Sequence, residues 1–208
     1  MNKSMLEKEV KFYITNLDGL KDRLLAVGAV QLQARTREVN LRFDTPDGQL
    51  SASGKVLRLR QDNRAILTFK DATSMEEGVR VRPEFEVVVD DLQKTRAILE
   101  GLGYVLTVTY EKWRTVYQYS GLEISLDELP YGNFTEIEGA DTSAIQTTAR
   151  ILALDWDARI QGSYIELFER FKKNRDLHLE TLTFSAFASI AVSWHDLDVK
   201  PADTPAFI

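Results

Sequence analysis

The stretch MLEKEVKFYI, residues 5–14, alternates charged and apolar side chains along its length. The two sets fall on opposite parities: Glu7, Glu9 and Lys11 against Val10, Phe12 and Ile14. Side chains two residues apart on a β-strand lie on the same face. A strand here would therefore bury one apolar face and present two carboxylates and an ammonium group in line on the other.

Seven further stretches repeat this alternation. They predict strands at residues 39–44, 56–60, 65–70, 78–89, 110–119, 122–129 and 134–139. Asp62–Asn63 and Ser120–Gly121 are typical hairpin turns between consecutive strands. Pro83 has no N–H to donate to a sheet, so its strand is expected to be an edge strand or to be bulged there.

Helical spacing of apolar residues predicts four helices and suggests a fifth. The four are at residues 15–29, 91–104, 141–154 and 163–173, and the fifth is at 182–191. This order of elements predicts an α+β fold with a mostly antiparallel sheet. We expect one domain over residues 1–208, with a helical tail from about residue 174, and we expect residues 196–208 to fray or lie on the surface.

The composition excludes several classes of protein. The chain has 208 residues, 44% of them hydrophobic, a net charge of −6 and no cysteine. Disulfides and thiolate metal sites are therefore excluded, and the acidic balance argues against a nucleic-acid-binding protein. No apolar run is long enough to span a membrane and the first residues lack a signal-peptide core, so we expect a cytoplasmic protein without a membrane partner.

The predicted strands concentrate charge on one face each. The basic residues in these positions are Lys11, Arg58, Arg60, Lys70, Arg80, Arg82, Lys112 and Arg114. The acidic residues are Glu7, Glu9, Glu84, Glu86, Asp127, Glu136 and Glu138. The rest of the chain is distinctly acidic, so these faces hold the concentrated positive charge of the molecule. A face that only meets solvent has no need of that segregation.

A closed sheet explains this pattern. About eight strands that close into a barrel leave room for side chains and one small ligand, with apolar faces turned outward to covering helices. Arginine and lysine side chains in one lumen repel one another unless a polyanion lies between them, and arginine binds phosphate oxygens through two parallel hydrogen bonds. Carboxylates beside them suit a hard divalent cation. The faces therefore predict a tunnel for metal-assisted chemistry on a polyphosphate.

Several motifs in chain order resemble the CYTH superfamily, or triphosphate tunnel metalloenzymes. They are EKEVK (7–11), FDTPDGQLSASGKVLRLR (43–60), LTFKD (67–71), VRPEFE (81–86), LDELPYGNFTEIEG (126–139) and GSYIELF (162–168). The first fits the family's ExExK signature. The superfamily includes class IV adenylate cyclases and thiamine triphosphatases, and the resemblance implies an eight-stranded tunnel with a charged lumen.

The resemblance also implies roles for individual residues. Mg²⁺ or Mn²⁺ would be bound by Glu7, Glu9, Asp127, Glu136 and Glu138. The triphosphate would be bound by Lys11, Arg58, Arg60, Lys70, Arg80, Arg82, Lys112 and Arg114. Catalysis would rest on Lys11, Arg58, Arg60, Lys70, Glu84 and Glu86, with the two glutamates orienting the basic groups or joining the metal ligands.

The chain departs from the family where Asn40 and Arg42 replace a frequent Asp-x-Tyr pattern. Arg42 could there add a phosphate ligand. Tyr164 is expected to be a core residue or to act at the end of the tunnel. The two histidines, His178 and His195, are expected at the surface, which excludes a serine triad for Ser125.

The expected function is hydrolysis of a triphosphate compound: inorganic tripolyphosphate, thiamine triphosphate or a nucleoside triphosphate. The alternative is a class IV adenylate cyclase that converts ATP to cyclic AMP and pyrophosphate. A second alternative is a module that binds polyphosphate or nucleotides without turnover. The expected partner is this small-molecule substrate, and a homodimer is left open.

Overall fold

In the computed structural model, which describes residues 6–203, ten β-strands form one antiparallel sheet. The strands are β1 (Leu6–Ile14), β2 (Val30–Asp44), β3 (Val56–Gln61), β4 (Ala65–Lys70), β5 (Ser74–Glu76), β6 (Val79–Val89), β7 (Val105–Tyr119), β8 (Leu122–Leu129), β9 (Gly132–Glu138) and β10 (Arg159–Ile160). The eight predicted strands are all present. Strand β2 begins at Val30, well before the predicted start at residue 39, because its first half pairs with β7 across two register shifts.

Eight of these strands close into a ring within the described part of the chain. Their order is β1-β9-β8-β7-β2-β3-β4-β6, and β6 pairs back onto β1. The seam places Glu7 opposite Arg82 and Glu9 opposite Arg80. The short strands β5 and β10 pair outside the ring. The prediction of an α+β fold with a closed antiparallel sheet is confirmed.

Strand β6 changes its partner at Pro83. Residues 80–83 pair with β1, and residues 84–89 pair with β4. A proline cannot donate to a ladder on either side, so it is tolerated where a strand leaves one neighbour for another. The irregularity expected at Pro83 is therefore this change of partner, which also allows the ring to close.

Five α-helices are found between residues 6 and 203. They are α1 (Leu17–Ala26), α2 (Gln49–Ala52), α3 (Leu92–Gly101), α4 (Thr142–Ile151) and α5 (Tyr164–Arg175). The four helices predicted before residue 174 correspond to α1, α3, α4 and α5. Helix α5 begins with a capping box, in which Ser163 and Glu166 satisfy each other's backbone N–H groups. No helix in this part of the chain combines the length and the apolar character needed to cross a membrane.

The helix suggested at residues 182–191 is wrong, because this segment consists of turns. Leu182 instead forms a bridge to β7, where its N–H donates to Thr109 O and its carbonyl accepts from Glu111 N, both at 2.9 Å. Phe187 packs against the rings of Tyr131 and Phe171. Because the Leu182 carbonyl is already bonded to β7, it is not available for a helical hydrogen bond to residue 186. The tail after α5 contains one short 3₁₀ helix, Trp194–Leu197, within the described residues.

The terminus was expected to fray or lie on the surface, and its described part, residues 196–203, does not fray but lies on the ring with Asp198 and Lys200 exposed. Leu197 and Ala202 are buried, and Ala202 N donates to Tyr13 O at 3.0 Å. The Asp203 carboxylate accepts from Thr15 N and Asn16 N at the start of α1. Residues 204–208 lie outside the described residues.

The apolar faces of the ring point outward, as the alternation predicts. Helices α1 and α4 cover β1, β8 and β9 with Leu20, Leu24, Ile145 and Ala149. Helix α5 and the tail cover another part of the ring through Leu167, Phe168, Phe171 and Phe187. A third cluster around Leu59 and Leu99 lies beneath α3. Because the apolar side chains pack outside, the charged side chains of the same strands point into the ring.

Candidate active site

The interior of the ring contains a cavity of about 310 Å³, a size suited to a small molecule. Among the described residues, ten basic and nine acidic side chains line it. The basic ones are Lys11, Arg42, Arg58, Arg60, Arg64, Lys70, Arg80, Arg82, Lys112 and Arg114, and the acidic ones are Glu7, Glu9, Glu38, Asp62, Glu84, Glu86, Glu123, Glu136 and Glu138. The structure thus brings together every predicted site residue except Asp127.

The seam between β1 and β6 is held by ion pairs inside this cavity. Lys70 Nζ donates to both oxygens of Glu7 at 2.8 Å, and Arg82 Nε donates to Glu7 Oε2 at 3.0 Å. Arg80 donates to Glu9 Oε1 at 3.3 Å. Burial would raise the pKa of Glu7, but the Lys70 charge, a hydrogen bond from Glu84 and the Arg82 charge hold it well below its ordinary value. Glu7 is therefore an anion that these cations share.

Glu84 lies on the other side of Lys70, with 3.0 Å between Lys70 Nζ and Glu84 Oε2. The pKa of Glu84 is raised to about 7, mainly by burial and also by the negative charges of Glu7 and Glu86, against the opposing effect of Lys70. Glu7 and Glu84 are hydrogen-bonded to each other, so below about pH 7 the pair shares one proton that resides on Glu84, and above that pH Glu84 is a free base. A carboxyl group of this kind can accept or donate a proton at neutral pH.

The raised pKa of Glu84 predicts a pH-dependent stability difference in Glu84→Gln. A pKa raised in the folded state contributes stability that is present below the ordinary value of 4.5 and is lost as the pH rises through about 7. Glutamine never ionises, so the melting temperature of the variant relative to wild type should increase from pH 5 to pH 8. Thermal denaturation at three pH values measures this. The exposed Glu76→Gln is the control, and a difference for Glu84→Gln that does not vary with pH would contradict the assignment.

Glu38 is on β2, which lies between β3 and β7 in the ring. Its side chain lines the cavity, and only 1% of the residue surface is exposed. Its carboxylate lies 3.5 Å from Lys112 Nζ and 3.8 Å from Arg60 Nη1. Burial opposes its charge, but Lys112 and Arg114 outweigh that effect and lower the pKa of Glu38 to about 2. The sequence analysis did not identify Glu38, because the predicted strand started at residue 39 and β2 starts at Val30. Its shared parity with Asn40 and Arg42 is the signal that identifies it.

Asp127 is fully buried behind the cavity lining. Its carboxylate accepts from Lys112 Nζ at 3.0 Å, from the Arg114 guanidinium and from the Tyr164 hydroxyl at 2.8 Å. Because these donors occupy both of its oxygens, Asp127 anchors the neighbouring cations. The structure therefore does not place it where the sequence analysis expected a metal ligand.

Tyr164, the first residue of α5, lines the same cavity beside two of these cations. The Lys11 ammonium lies 4.0 Å and the Lys112 ammonium 5.4 Å from the centre of its ring, distances typical of cation–π contacts. Its carbonyl oxygen accepts from the Tyr131 hydroxyl at 2.8 Å. The capping box at Ser163 therefore sets the position of an aromatic surface against which Lys11 rests.

A family model for the CYTH domain matches residues 5–172 of this chain. The chain belongs to the CYTH domain family. A Methanocaldococcus jannaschii protein named as a candidate adenylate cyclase is 25% identical over 174 residues, which cover 78% of this chain and 98% of that protein.

Solved structures share the fold. One is a Vibrio parahaemolyticus protein described as a candidate adenylate cyclase, with a TM-score of 0.70 and 22% identity over 80% of this chain and 99% of that one. Another is a Hippeastrum protein for which a dominant triphosphatase activity is described, with a TM-score of 0.59 and 19% identity over 79% of this chain and 94% of that one. The similarity to both structures concerns the fold.

The CYTH domain offers oxygen ligands for a divalent cation without a preassembled cluster. No group of three acidic or histidine side chains in residues 6–203 is arranged as a metal centre. Glu9 and Glu138 lie directly opposite each other on β1 and β9, and Glu136 is next to them on the same face. Mg²⁺ is commonly bound by one or two carboxylates together with waters and substrate phosphates. The donor set therefore fits a hard cation that is bound together with a phosphate ligand.

Proposed function

We propose that this CYTH domain is a divalent-metal-dependent hydrolase that cleaves a triphosphate compound bound inside the ring. The observation that carries the proposal is the set of ten basic side chains around one cavity of about 310 Å³. Like charges confined in a partly water-excluded space repel one another strongly. The nine acidic side chains compensate part of this positive charge. A bound polyphosphate compensates the positive charge of the cations that face the interior of the cavity.

The cations of the lumen are suited to contact a bound ligand from several strands of the ring. Lys11, Arg58, Arg60, Lys70 and Arg82 line the cavity from four strands, so they can surround a chain of phosphate groups. Arginine contributes paired donors that match phosphate oxygens, and both residue types neutralise charge that develops during phosphoryl transfer. Asp127, behind the cavity wall, and Glu38, in the wall itself, hold Lys112 and Arg114 in place.

Glu9, Glu136 and Glu138 are the carboxylates suited to hold Mg²⁺ or Mn²⁺ against the phosphates. A bound divalent cation would supply Lewis-acid activation of a phosphoryl oxygen and of an attacking water. Glu84 provides the proton acceptor, since the pKa of its carboxyl is about 7. In this scheme water attacks the terminal phosphorus and forms a new P–O bond while Glu84 takes the proton of the water. The bond from the terminal phosphorus to the bridging oxygen breaks, and the rest of the substrate leaves as an oxyanion that keeps the bonding electron pair.

The test is incubation with tripolyphosphate, thiamine triphosphate and ATP, each with Mg²⁺ or Mn²⁺, followed by separation of the products. We expect metal-dependent release of orthophosphate from at least one of them. Formation of cyclic AMP and pyrophosphate from ATP would instead establish a cyclase, the reaction favoured by the name of the Methanocaldococcus jannaschii relative. Binding without any turnover would identify a non-catalytic module.

Tripolyphosphate is also expected to stabilise the protein against heat, because it relieves the repulsion between the cavity cations. A ligand that binds only the native state adds about 2.7 kcal/mol at a concentration about 100 times its Kd. For a domain of this size that corresponds to a rise in melting temperature of several degrees. Thermal denaturation with and without millimolar tripolyphosphate measures the effect. An unchanged melting temperature, with sulfate at equal ionic strength as the control, would contradict a polyphosphate site.

A further inference from the structure

Arg42 and Arg58 lie directly opposite each other inside the ring. They are register partners on β2 and β3, so their side chains start on the same face only about 5 Å apart. Like charges in directly opposite positions destabilise a sheet. Burial lowers the pKa of Arg42, and the positive charges of Arg58 and Arg82 lower it further, against the opposing effects of Tyr110 and Asp44. Without a ligand, burial and the neighbouring positive charges therefore disfavour the charged form of Arg42.

Arg42 differs from the other buried arginines of the cavity in its partners. Arg58, Arg60, Arg80, Arg82 and Arg114 each have a carboxylate within ion-pair distance. Arg42 has no such carboxylate among the described residues, and its Nε, like those of Arg58 and Arg60, is shielded from solvent without a hydrogen-bond acceptor. A shielded donor without an acceptor costs free energy, so Arg42 is suited to bind an anionic group of a ligand.

The position of Arg42 indicates which part of a ligand it meets. Arg42 lines the lumen cavity and also a wider cavity of about 1040 Å³ at one mouth of the ring. The two cavities share Arg42, Val56, Arg80, Arg82, Ser163 and Ile165. Lys11, Lys112 and Arg114 line the lumen cavity alone. An elongated anion anchored by those three cations therefore reaches Arg42 with its end nearest the mouth.

We propose that Arg42 and Arg58 together bind the phosphate group nearest this mouth, so that the site favours a chain of three or more phosphates over pyrophosphate. This inference rests on the proposed function, since it assigns one subsite of the same cavity. Two guanidinium groups facing one phosphate supply paired hydrogen bonds from both sides. The phosphate in turn removes the repulsion between them.

The test compares Arg42→Gln with Arg64→Gln in metal-free calorimetric titrations with tripolyphosphate and pyrophosphate. Arg64 lines the same cavity and carries the same charge, but it is solvent-exposed. We expect Arg42→Gln to weaken tripolyphosphate binding at least about tenfold and pyrophosphate binding less than about threefold. Arg64→Gln should weaken both by less than about threefold. Arg42→Lys, which keeps the charge without the paired donors, should give an intermediate affinity for tripolyphosphate.

Thermal denaturation separates this role from a structural one. Removal of one of two opposed charges should leave the melting temperature of ligand-free Arg42→Gln equal to or above that of wild type, while the increase caused by tripolyphosphate should shrink. Equal effects of the two glutamine variants, or equal losses for both ligands, would overturn the assignment of Arg42. Wild-type protein that binds no tripolyphosphate would instead overturn the proposed function.

Discussion

Glu9→Gln is expected to lower turnover of the triphosphate substrate at least about 100-fold. Glu9 lies on β1 directly opposite Glu138, with Glu136 nearby on the same face of β9. The substitution keeps the shape of the side chain and removes one of the charges proposed to hold the divalent cation. Metal-ion catalysis contributes several kcal/mol of transition-state stabilisation, and each 1.36 kcal/mol is a factor of ten in rate.

The same variant separates metal binding from phosphate binding. Steady-state rates across a range of Mg²⁺ and Mn²⁺ concentrations should show a higher metal requirement, whereas metal-free binding of tripolyphosphate should persist because Arg58, Arg60 and Lys70 are unchanged. The Arg80 pair at 3.3 Å is weakened, so a stability loss of about 1–3 kcal/mol is expected. Glu76→Gln, on the outer strand β5, is the control with no expected effect on rate. Activity of Glu9→Gln close to wild type at limiting metal would refute this role.

Asp127→Ala is expected to lower the free energy of unfolding by about 3–5 kcal/mol. Removing one partner from a buried ion pair leaves the remaining charge uncompensated. Here Lys112, which is 2% exposed, and Arg114 both lose this carboxylate, and the Tyr164 hydroxyl loses its acceptor. Urea denaturation measures the loss.

Glu128→Ala is the matched control for Asp127→Ala. Glu128 is the next residue of β8 and points to the opposite side, where it pairs with Arg35, a side chain that is 50% exposed. Exposed pairs of this kind contribute about 0–1 kcal/mol. A loss for Asp127→Ala that does not exceed the loss for Glu128→Ala would show that the buried cations do not depend on Asp127.

The local alternation of charged and apolar residues was sufficient to predict most of the strands and the face of each strand that carries charge. Glu7, Glu9 and Lys11 were assigned to the lumen from their parity alone, and Arg58 with Arg60 likewise, because the two-residue period of a strand is a local property. The caps of three helices are equally local: Asn16, Asp91 and Asp141 each accept from backbone N–H groups two or three residues further along the chain. The start of β2 was misplaced because residues 30–38 pair irregularly with β7.

The sequence by itself determined that one closed antiparallel sheet carries its charge inside, since strand period and apolar spacing are written in neighbouring residues. Only the tertiary structure decided how those charges combine. The seam joins residues more than 60 positions apart, so the pairing of Glu7 with Lys70 and Arg82 depends on register and closure. The same closure places Asp127 behind the cavity wall and leaves Arg42 facing Arg58. Ion pairs among nineteen charged side chains depend on distances of a few ångströms, and these distances are set by the ring as a whole.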